Sequence, residues 1–399
     1  MELKSGLPFW LIKDGLMNNY PKLEKNIKTD VVIIGGGITG ALVGYELNQN
    51  GISTCTVDSR TIGLGSTCAS TALLQYEIDK PLHELIPQIG KQKAQQAYLL
   101  CEKSIASLKK IASKIGFKEF EENQSLYYAH HPNKLRFIER EFKARKENGH
   151  DVKIIEKDEI NKKYGINSVA GILSKVGAQT NAYSFAHHLH QYNLKAGQQV
   201  FDRTEVVSFK HSKNHVVCVT SEGYKIQAKW IVFATGYEAV KYIKESIVNL
   251  QSTYAIITEQ NKIYQNLCND TLIWNTADPY LYMRNTPDGR VLLGGRDDPF
   301  YNPKKRDALL KTKTTLLKKD FSRLYNDLDF KCEFSWCGTF GSTKDGLPYI
   351  GAYKGMPNSL FALGFGGNGI TFSQIAAEML TQKIVSGKMK HDNLFAFER

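Results

Sequence analysis

The residues best suited to chemistry form a glycine motif near the start of the chain. Gly35, Gly37 and Gly40 are spaced as Gly-x-Gly-x-x-Gly and directly follow the β-branched run Val31–Ile34. In this motif the first glycine permits a tight turn, the second lets the backbone approach a pyrophosphate, and the third lets helix and strand pack closely. The helix that follows presents unpaired N–H groups and a partial positive charge. The motif therefore predicts a site for a dinucleotide diphosphate.

An acidic residue ends the next predicted strand. A helix is predicted over Ala41–Asn50 and a strand over Ile52–Val57, which completes one βαβ unit ending at Asp58. A carboxylate at this position accepts hydrogen bonds from a ribose diol, whereas a cationic residue indicates a 2′-phosphate. Asp58 therefore favours FAD or NAD over NADP. The alternative interpretation is a glycine loop that only stabilises the fold.

The bulk composition sets limits on the class of protein. The chain has 399 residues, of which 42% are hydrophobic and 23% charged, so it is globular rather than disordered. This length predicts two domains or one elaborate domain. Lys and Arg total 52 against 40 Asp and Glu, which gives a formal net charge of +12. The excess permits contact with nucleic acid, anionic lipid or an acidic substrate, and a solvated lysine-rich surface is the simpler interpretation.

The cysteines and the apolar segments favour a cytoplasmic protein without metal. Seven cysteines at irregular spacing, with no Cys-x-x-Cys pair, argue against a disulfide framework and against a structural zinc site. Residues 1–20 lack the apolar core of a signal peptide, and no run of roughly 18 apolar residues predicts a transmembrane segment. His187, His188 and His190 share a predicted helix without carboxylate or cysteine companions, which predicts a solvated helix face.

Helical and strand patterns interleave over the rest of the chain. Predicted helices cover Pro87–Phe117, His131–Gly149, Ala182–Leu194, Asp307–Leu328 and Ile370–Val385. Predicted strands cover Leu126–Ala129, Gln199–Val207, Val216–Thr220, Lys229–Phe233, Ile256–Thr258, Leu272–Trp274, Tyr280–Arg284, Val291–Leu293 and Leu360–Leu363. This order indicates a nucleotide-binding domain assembled from separate pieces, with a second domain between them.

Three separated motifs, in this order, carry a resemblance to a known family. They are DVVIIGGGITG…VDSR, KIQAKWIVFATGYEA, and DGLPYIG…NSLFALGFGGNGITFS. Together they resemble the FAD-dependent D-amino-acid oxidase superfamily, which includes glycine oxidase, sarcosine oxidase and related amine oxidases. The likeness extends over roughly Thr29–Gly387. The stretch FW…YPKL…TDVVIIGGGITG is most similar to the γ-glutamylputrescine-oxidase-like branch.

The resemblance implies a fold and a division into domains. The expected class is α/β, with a Rossmann-type FAD-binding domain built on a parallel sheet. An α+β substrate domain with a mixed or antiparallel sheet should interrupt it. We assign 1–85, 150–245 and 336–399 to the FAD-binding domain, and 86–149 and 246–335 to the substrate domain.

The resemblance also implies FAD-binding residues. They are Gly35, Gly37, Ile38, Thr39, Gly40, Asp58, Ser59, Arg60, Gly65, Ser66, Thr67, Ser70, Thr71, Val206, Ala234, Thr235, Gly236, Gly338, Asp345, Gly366, Gly367, Asn368, Gly369 and Ile370. Some sarcosine-oxidase relatives hold flavin through a cysteine near Cys337. Here Gly338 occupies the expected position, so we predict noncovalent FAD.

The glycine turn before the last long helix permits two interpretations. Gly364-x-Gly366-x-x-Gly369 matches the dinucleotide pattern, but too little chain follows it for another βαβ unit. We therefore expect the helix that begins near Ile370 to point its N-terminus at the flavin pyrimidine carbonyl. In that arrangement the N–H groups of residues 366–369 would be donors near the ring.

One departure from the family bears on the substrate. Many amino-acid oxidases carry an arginine five residues before the Asp of the DGxP motif, which binds the substrate carboxylate, and here Phe340 stands there. This disfavours a simple D-amino acid and favours an amine. Arg284 is the best substitute, with Tyr282 on the same face of its predicted strand, and a structural ion pair is the alternative role of Arg284. Lys344 is the candidate for promoting the reaction with dioxygen.

The implied activity is oxidation of a C–N bond in a small amine or amino acid. Hydride passes to flavin, and water hydrolyses the resulting imine. Dioxygen or another acceptor then reoxidises the flavin. Three alternatives stay open: a flavin oxidase acting on a modified tRNA uridine, a quinone-linked membrane-associated amino acid dehydrogenase, and a non-catalytic flavin-binding protein. A tRNA partner predicts a steep salt dependence of binding.

Overall fold

A computed structural model describes residues 1–399, arranged in three β-sheets flanked by helices. The strands are β1 (Lys4–Gly6), β2 (Ile27–Ile34), β3 (Thr54–Val57), β4 (Leu73–Leu74), β5 (Phe120–Glu122), β6 (Gln124–Tyr128), β7 (Val152–Glu156), β8 (Ala170–Ser174), β9 (Ala178–Thr180), β10 (Gln199–Phe201), β11 (Val206–His211), β12 (Val216–Thr220), β13 (Lys225–Phe233), β14 (Asn249–Thr258), β15 (Thr271–Asn275), β16 (Tyr282–Asn285), β17 (Val291–Asp298), β18 (Cys332–Ser342), β19 (Tyr349–Ala352) and β20 (Ser359–Leu363). The α-helices are α1 (Phe9–Asp14), α2 (Ile38–Gln49), α3 (Leu82–Ile89), α4 (Lys91–Lys114), α5 (Leu135–Glu147), α6 (Lys157–Tyr164), α7 (Ala182–Lys195), α8 (Pro303–Leu324), α9 (Gly369–Ser386) and α10 (Asp392–Phe395).

The first sheet has eight strands and contains the predicted βαβ unit. Its main path is β10-β3-β2-β13-β12-β11, and β20 joins β13 while β19 pairs with β20. Strands β10, β3, β2, β13 and β20 run parallel. Val31, Val32 and Ile33 have no exposed surface, as expected for a central strand that is covered on both faces. Helix α2 packs against α7 and α9 on one face of this sheet.

The second sheet has nine strands in the order β1-β18-β14-β17-β16-β15-β6-β8-β7. All neighbours are antiparallel except β15 and β6, so the sheet is mixed. The turn Pro287–Gly289 connects β16 and β17 as a hairpin, as the sequence predicts. Helix α8 packs against β14, β17 and β18. The mixed α/β class is therefore confirmed, with a parallel sheet and a mostly antiparallel one.

The predicted domain boundaries need correction. Strands β7 and β8, within 150–245, belong to the nine-stranded sheet, and so do β1 and the end of β18. Helix α4 was assigned to the substrate domain, yet it packs on α9 and shares the core of the eight-stranded sheet. An alternating or amphipathic pattern identifies a strand or a helix, but it does not say which sheet that element joins.

Two predicted elements are each divided in the structure. The helix predicted over Pro87–Phe117 is two helices, because Gly90 adopts a φ of +87° between α3 and α4. The strand predicted over Gln199–Val207 is likewise split into β10 and β11, because Arg203 adopts a φ of +46°. A positive φ interrupts both helix and strand hydrogen bonding. None of the helices combines the length and the apolar character needed to span a bilayer.

Candidate functional site

A long cavity extends from the carboxyl ends of the parallel strands to the face of the nine-stranded sheet. This is where open α/β sheets bind ligands. The predicted cofactor residues that line it are Gly35, Gly37, Ile38, Thr39, Asp58, Ser59, Arg60, Gly65, Ser66, Thr67, Ser70, Thr71, Val206, Ala234, Thr235, Gly236, Gly338, Gly366, Gly367, Gly369 and Ile370. Gly40, Asp345 and Asn368 do not line it, and of the predicted catalytic residues only Tyr282 does.

The glycine loop has the geometry that its spacing predicts. Gly35 adopts a φ of +111° at the end of β2, which favours glycine. A Cβ on Gly40 would lie 1.9 Å from the Gly35 carbonyl oxygen, so only glycine lets α2 pack this closely. Gly37 has no side chain that could cap α2, and the Ile38 N–H in the first turn donates to the Thr67 hydroxyl at 3.1 Å. The N-terminus of α2, with the Thr67 hydroxyl beside it, therefore faces the cavity as a site for an anion.

Asp58 lies between the glycine loop and the chain that follows β3. Its carboxylate accepts hydrogen bonds from the Gly36 N–H at 2.7 Å and from the Arg60 N–H at 2.8 Å. Burial raises the pKa of Asp58, and these two bonds oppose that effect. Each carboxylate oxygen accepts more than one hydrogen bond. Asp58 can therefore hold the loop and still accept a ligand hydroxyl.

Two tryptophans hold the hydroxyl-rich loop, Gly65–Thr71, against the cavity. The Trp10 indole N–H donates to the Ser70 carbonyl at 2.8 Å, and the Trp336 indole donates to the Ala69 carbonyl at 2.9 Å. Both indoles are buried. No local pattern in the sequence predicts these supports, because the two tryptophans lie far from the loop along the chain.

Arg60 and Glu238 form an ion pair at the same end of the cavity. Arg60 Nη1 lies 2.8 Å from Glu238 Oε2, and Lys241 Nζ lies 3.2 Å from Glu238 Oε1. Burial opposes ionisation of Glu238, but the hydrogen bonds from Arg60, the N-terminal amine and Lys241, together with the charge of Arg60, outweigh it, and the pKa falls to about 2. Both cationic side chains that line the cavity are thus paired with one carboxylate.

The expectation that His187 and His190 lie on a solvated face is wrong. Both rings are fully buried, because α7 packs against α2. His190 Nε2 donates to the Gly36 carbonyl at 3.0 Å, and His187 Nδ1 lies 3.1 Å from the Tyr20 hydroxyl. Burial lowers the pKa of each to about 4, so both rings are neutral at pH 7. His190 therefore supports the glycine loop.

Most N–H groups of the second glycine turn are already engaged. The Gly366 N–H donates to the Gly341 carbonyl at 3.0 Å, and the Gly367 N–H donates to Asp79 at 2.8 Å. The Asn368 N–H donates to the Phe365 carbonyl at 3.2 Å. These interactions contradict the expected donor role of three residues in the turn. Gly369, the first residue of α9, lines the cavity with open space beside it.

Asp345 and Lys344 lie in a turn outside the cavity. Asp345 receives two hydrogen bonds from the Arg399 guanidinium, at 2.9 and 3.0 Å, and one from the Leu347 N–H at 3.1 Å. Lys344 is exposed, and its Nζ donates to the Arg399 carbonyl. The turn after β18 directs both side chains away from the cavity. The structure therefore does not place Lys344 where a ligand would react.

Arg284 is buried behind the cavity wall rather than in it. Its Nε donates to the Thr71 carbonyl and its Nη2 to the Thr180 carbonyl, each at 2.9 Å. The guanidinium lies 5.0 Å from the centre of the Trp10 ring, and burial lowers its pKa to about 10. Arg284 has no carboxylate partner within the chain, and it does not reach the cavity. Its position supports the hydroxyl-rich loop instead of a substrate carboxylate.

The other end of the cavity is lined by side chains of the nine-stranded sheet. They include Thr253, Tyr280, Tyr282, Asp297 and Phe340. Strand β17 has one extra residue opposite β14, where Ser252 pairs with Asp298 and Tyr254 pairs with Gly295. Such a bulge redirects a side chain. Asp297 and Tyr280 are not among the site residues predicted from the sequence. The charged run Arg296–Asp298, directly after an apolar strand, is the signal that could have identified Asp297.

Comparisons with known proteins agree with this geometry. Residues 30–383 match the DAO family, described as FAD dependent oxidoreductase. The chain belongs to this family. Glycine oxidase of Bacillus licheniformis is 26% identical over 380 residues, which cover 92% of this chain and 96% of that protein. Gamma-glutamylputrescine oxidoreductase of Escherichia coli is 20% identical over 396 residues, which cover 94% of this chain and 88% of that protein.

One solved structure is similar in fold, and one further relative is similar over only part of its own length. The crystal structure of glycine oxidase from Geobacillus kaustophilus matches this FAD-dependent oxidoreductase with a TM-score of 0.77 at 20% identity, over 93% of this chain and 99% of that one. A putative Rieske 2Fe-2S iron-sulfur protein of Bacillus subtilis is 25% identical over 216 residues, which cover 54% of this chain but only 41% of that protein. The predicted superfamily is confirmed, and the relatives agree with the predicted branch.

The residues of this oxidoreductase fit FAD at the end of the cavity built on the parallel sheet. Ser66 Oγ and Thr235 Oγ1 line the cavity and are buried without hydrogen-bond partners, as hydroxyls reserved for a polar ligand would be. No atom lies within 4 Å of a Cβ built on Gly236 or on Gly369, so the backbone there is open to close approach. Cys337 does not line the cavity, and its Sγ lies 3.4 Å from Asp307.

Proposed function

We propose that this protein uses noncovalent FAD to oxidise a C–N bond of a small amine or amino acid. The observation that carries the proposal is the cavity itself, whose two ends differ in construction. One end offers backbone, hydroxyl groups and the N-terminus of α2. The other end offers tyrosines and one carboxylate from a separate sheet. A cofactor held at the first end would meet a small molecule held at the second.

The chain's own residues account for binding of the cofactor. The N-terminus of α2 at Gly37 and the hydroxyls of Ser66 and Thr67 would hold the diphosphate. Asp58 would accept the hydroxyls of the adenosine ribose. The N-terminus of α9 at Gly369 would place a partial positive charge beside the flavin ring. When bound, FAD supplies the two-electron oxidation, in which hydride leaves the carbon next to nitrogen.

The substrate end accounts for orientation and for exclusion of water. Tyr282 is the first residue of β16, and Tyr280 lies just before the strand. The centres of the two rings are 5.8 Å apart. Together with Phe340 they form an aromatic wall, which excludes water from the reacting carbon and restricts how a small molecule can lie. Water would then hydrolyse the released imine to a carbonyl compound and an amine. The names of glycine oxidase and gamma-glutamylputrescine oxidoreductase support a nitrogen-bearing substrate.

Anaerobic flavin reduction tests this function directly. The purified protein should be yellow, and a panel of amines and amino acids should include compounds that bleach its flavin absorbance without dioxygen. Denaturation should release the flavin, because Cys337 does not face the cavity. Readmission of air or of a quinone analogue then identifies the electron acceptor. A protein that cannot be loaded with FAD, or whose bound flavin no nitrogen compound reduces, contradicts the proposal.

A further inference from the structure

Two neighbouring aspartates on the bulge of β17 have different environments. Asp298 is fully engaged, because Lys313 Nζ lies 2.7 Å away and the Tyr254 hydroxyl donates to it at 3.0 Å. Asp297 lines the cavity, and its Oδ1 is buried with no hydrogen-bond partner. A buried carboxylate oxygen without a donor is costly unless a ligand supplies that donor. The chain therefore keeps an unsatisfied acceptor at the substrate end.

Helix α8 holds the conformation that directs Asp297 into the cavity. Arg296 adopts a φ of +60°, which is unfavourable for a residue other than glycine. The Arg296 side chain pairs with Asp320 on α8, and Lys313 Nζ donates to the Arg296 carbonyl at 2.7 Å. Helix α8 thus fixes the bulge through two contacts that do not involve Asp297. This fixed backbone presents a carboxylate whose Oδ1 accepts no hydrogen bond from the chain.

The cavity offers no free cation to a substrate anion. Arg60 and Lys241 are its only lining cationic side chains, and both pair with Glu238 near the parallel sheet. Arg284 is engaged by two carbonyls behind the wall. Phe340 lines the cavity and cannot bind a carboxylate. When Asp297 is ionised, the charge of the substrate end is therefore negative, which suits a cation and repels an anion.

We propose that Asp297 binds the ammonium group of a cationic alkyl amine and accepts its proton, so that the substrate class is amines without a carboxylate beside the reacting carbon. The inference rests on the function proposed above and narrows it. In the proton transfer one N–H bond breaks and one O–H bond forms on the carboxylate, with no change of oxidation state. The products are a neutral amine and neutral Asp297. A neutral amine keeps the electron pair that assists departure of hydride from the adjacent carbon.

The electrostatics of Asp297 suit this exchange. Burial raises its pKa to about 7, with Thr253 and Lys313 opposing the rise and Asp79 and Asp298 contributing to it. The ionisable groups that face it also include the hydroxyls of two tyrosines, Tyr280 and Tyr282. A carboxylate with a pKa near the working pH is suited to accept and later release a proton. The ionised form is required, so binding of an ammonium should weaken as the pH falls below about 7.

A pair of isosteric ligands tests the recognition without turnover. tert-Butylammonium has no hydrogen on the carbon beside nitrogen and cannot be oxidised there, and pivalate is a carboxylate of similar shape. Titration of the FAD-loaded wild type, followed by the change in flavin absorbance, should show at least about tenfold tighter binding of tert-butylammonium at pH 8. The preference should decline below pH 7.

Variants of Asp297 test whether this side chain causes the preference for tert-butylammonium over pivalate. Asp297→Asn should weaken binding of tert-butylammonium at least about tenfold while binding of pivalate is unchanged or tighter. In turnover of a simple alkyl amine it should lower kcat/KM and remove the pH dependence near 7. Asp327→Asn is the matched control, because Asp327 is exposed and does not line the cavity, and this variant should bind both ligands like the wild type. Asp297→Glu should recover part of the preference.

The outcomes separate this inference from the proposed function. Tighter binding of pivalate than of tert-butylammonium by the wild type overturns the inference without any variant. Efficient bleaching by glycine or D-alanine and none by alkyl amines also overturns it, while the proposed C–N oxidation survives. Unchanged ammonium binding in Asp297→Asn overturns the role of Asp297. If no nitrogen compound bleaches the flavin, the proposed function fails together with the inference.

Discussion

The two ends of the cavity offer different kinds of groups to a ligand. At the parallel sheet the lining is largely main chain, glycine and hydroxyl, and the cationic side chains of Arg60 and Lys241 both pair with Glu238. At the nine-stranded sheet the lining includes side chains from β14, β16, β17 and β18, and one buried oxygen of Asp297 is left without a hydrogen-bond donor. The first end is set by backbone geometry, whereas the second is set by the identity of a few side chains.

This difference has a physical origin. A diphosphate needs N–H groups and a helix N-terminus, and a βαβ unit provides both within about 30 residues. A small substrate has few atoms, so specificity depends on placing a few polar groups from separate strands. Substitutions at the first end should therefore affect loading of FAD, and substitutions at the second should affect the choice of substrate.

The strongest test of the cofactor end is Gly40→Ala. The added Cβ would lie 1.9 Å from the Gly35 carbonyl oxygen, so α2 must move away from β2. We expect the variant to be insoluble or to purify without flavin, measured by the ratio of absorbance at the flavin band to that of protein. Gly116→Ala is the control, because its φ is +73° with open space around it. It should lose about 1–2 kcal/mol of stability and keep its flavin.

Removing the Asp58 carboxylate should have the next largest effect. Asp58→Ala leaves the Gly36 and Arg60 N–H groups without their acceptor and removes the expected ribose contacts. Hydrogen bonds to a charged group contribute about 1.5–3 kcal/mol, so the Kd for FAD should rise by roughly 10- to 100-fold. Titration of the apoprotein by flavin fluorescence measures this, and Asp58→Asn should lie between. An unchanged Kd in Asp58→Ala would show that the carboxylate has no part in binding FAD.

A smaller effect on FAD is expected from Trp336→Phe, which keeps an aromatic ring but removes the donor to the Ala69 carbonyl. One neutral hydrogen bond contributes about 0.5–1.5 kcal/mol, so the Kd for FAD should rise roughly 2- to 10-fold. Trp274→Phe removes an equivalent donor to Ser125 in the nine-stranded sheet, outside the cavity lining. It should leave the Kd unchanged. Equal effects of the two variants would contradict a specific support of the loop by Trp336.

Asp297→Asn should also change the pH dependence of stability. Burial raises the pKa of Asp297 from 3.8 to about 7 in the folded state, so the wild type loses stability as the pH rises from about 4 to 7. The asparagine side chain of the variant does not ionise, so the variant does not lose stability in this way as the pH rises. The melting temperature of the variant should exceed that of the wild type by an amount that grows with pH up to about 7 and is constant above. A difference that shrinks over this range would mean that the carboxylate is stabilised by an interaction within the fold.

The smallest expected effect belongs to Lys344→Met. The side chain is exposed and bonds to the Arg399 carbonyl outside the cavity. The rate at which dioxygen reoxidises the flavin, followed by stopped flow, should therefore stay within twofold of the wild type. A tenfold slower reoxidation would restore the role that the sequence suggested for Lys344.

The sequence was most informative where function depends on local backbone. The spacing of Gly35, Gly37 and Gly40, with Asp58 after the next strand, specified the β2-α2-β3 unit. A turn and a helix N-terminus form from residues adjacent in the chain, so their spacing alone identifies them. The sequence was least informative for Arg284. Arg284 lies two residues after Tyr282 on β16, a spacing that predicts the same face of the strand. The segments around Thr71 and Thr180 nevertheless bury Arg284 behind the cavity wall.

The sequence by itself thus determined the family, FAD as cofactor, and most of the residues that line the cofactor end of the cavity. Only the tertiary structure decided which sheet β7 and β8 join, that His187 and His190 are buried, and that Asp297 stands unpaired in the cavity. Each of those features depends on contacts between segments far apart in the chain. Local spacing carries no information about such contacts, because they arise only when separate elements pack together.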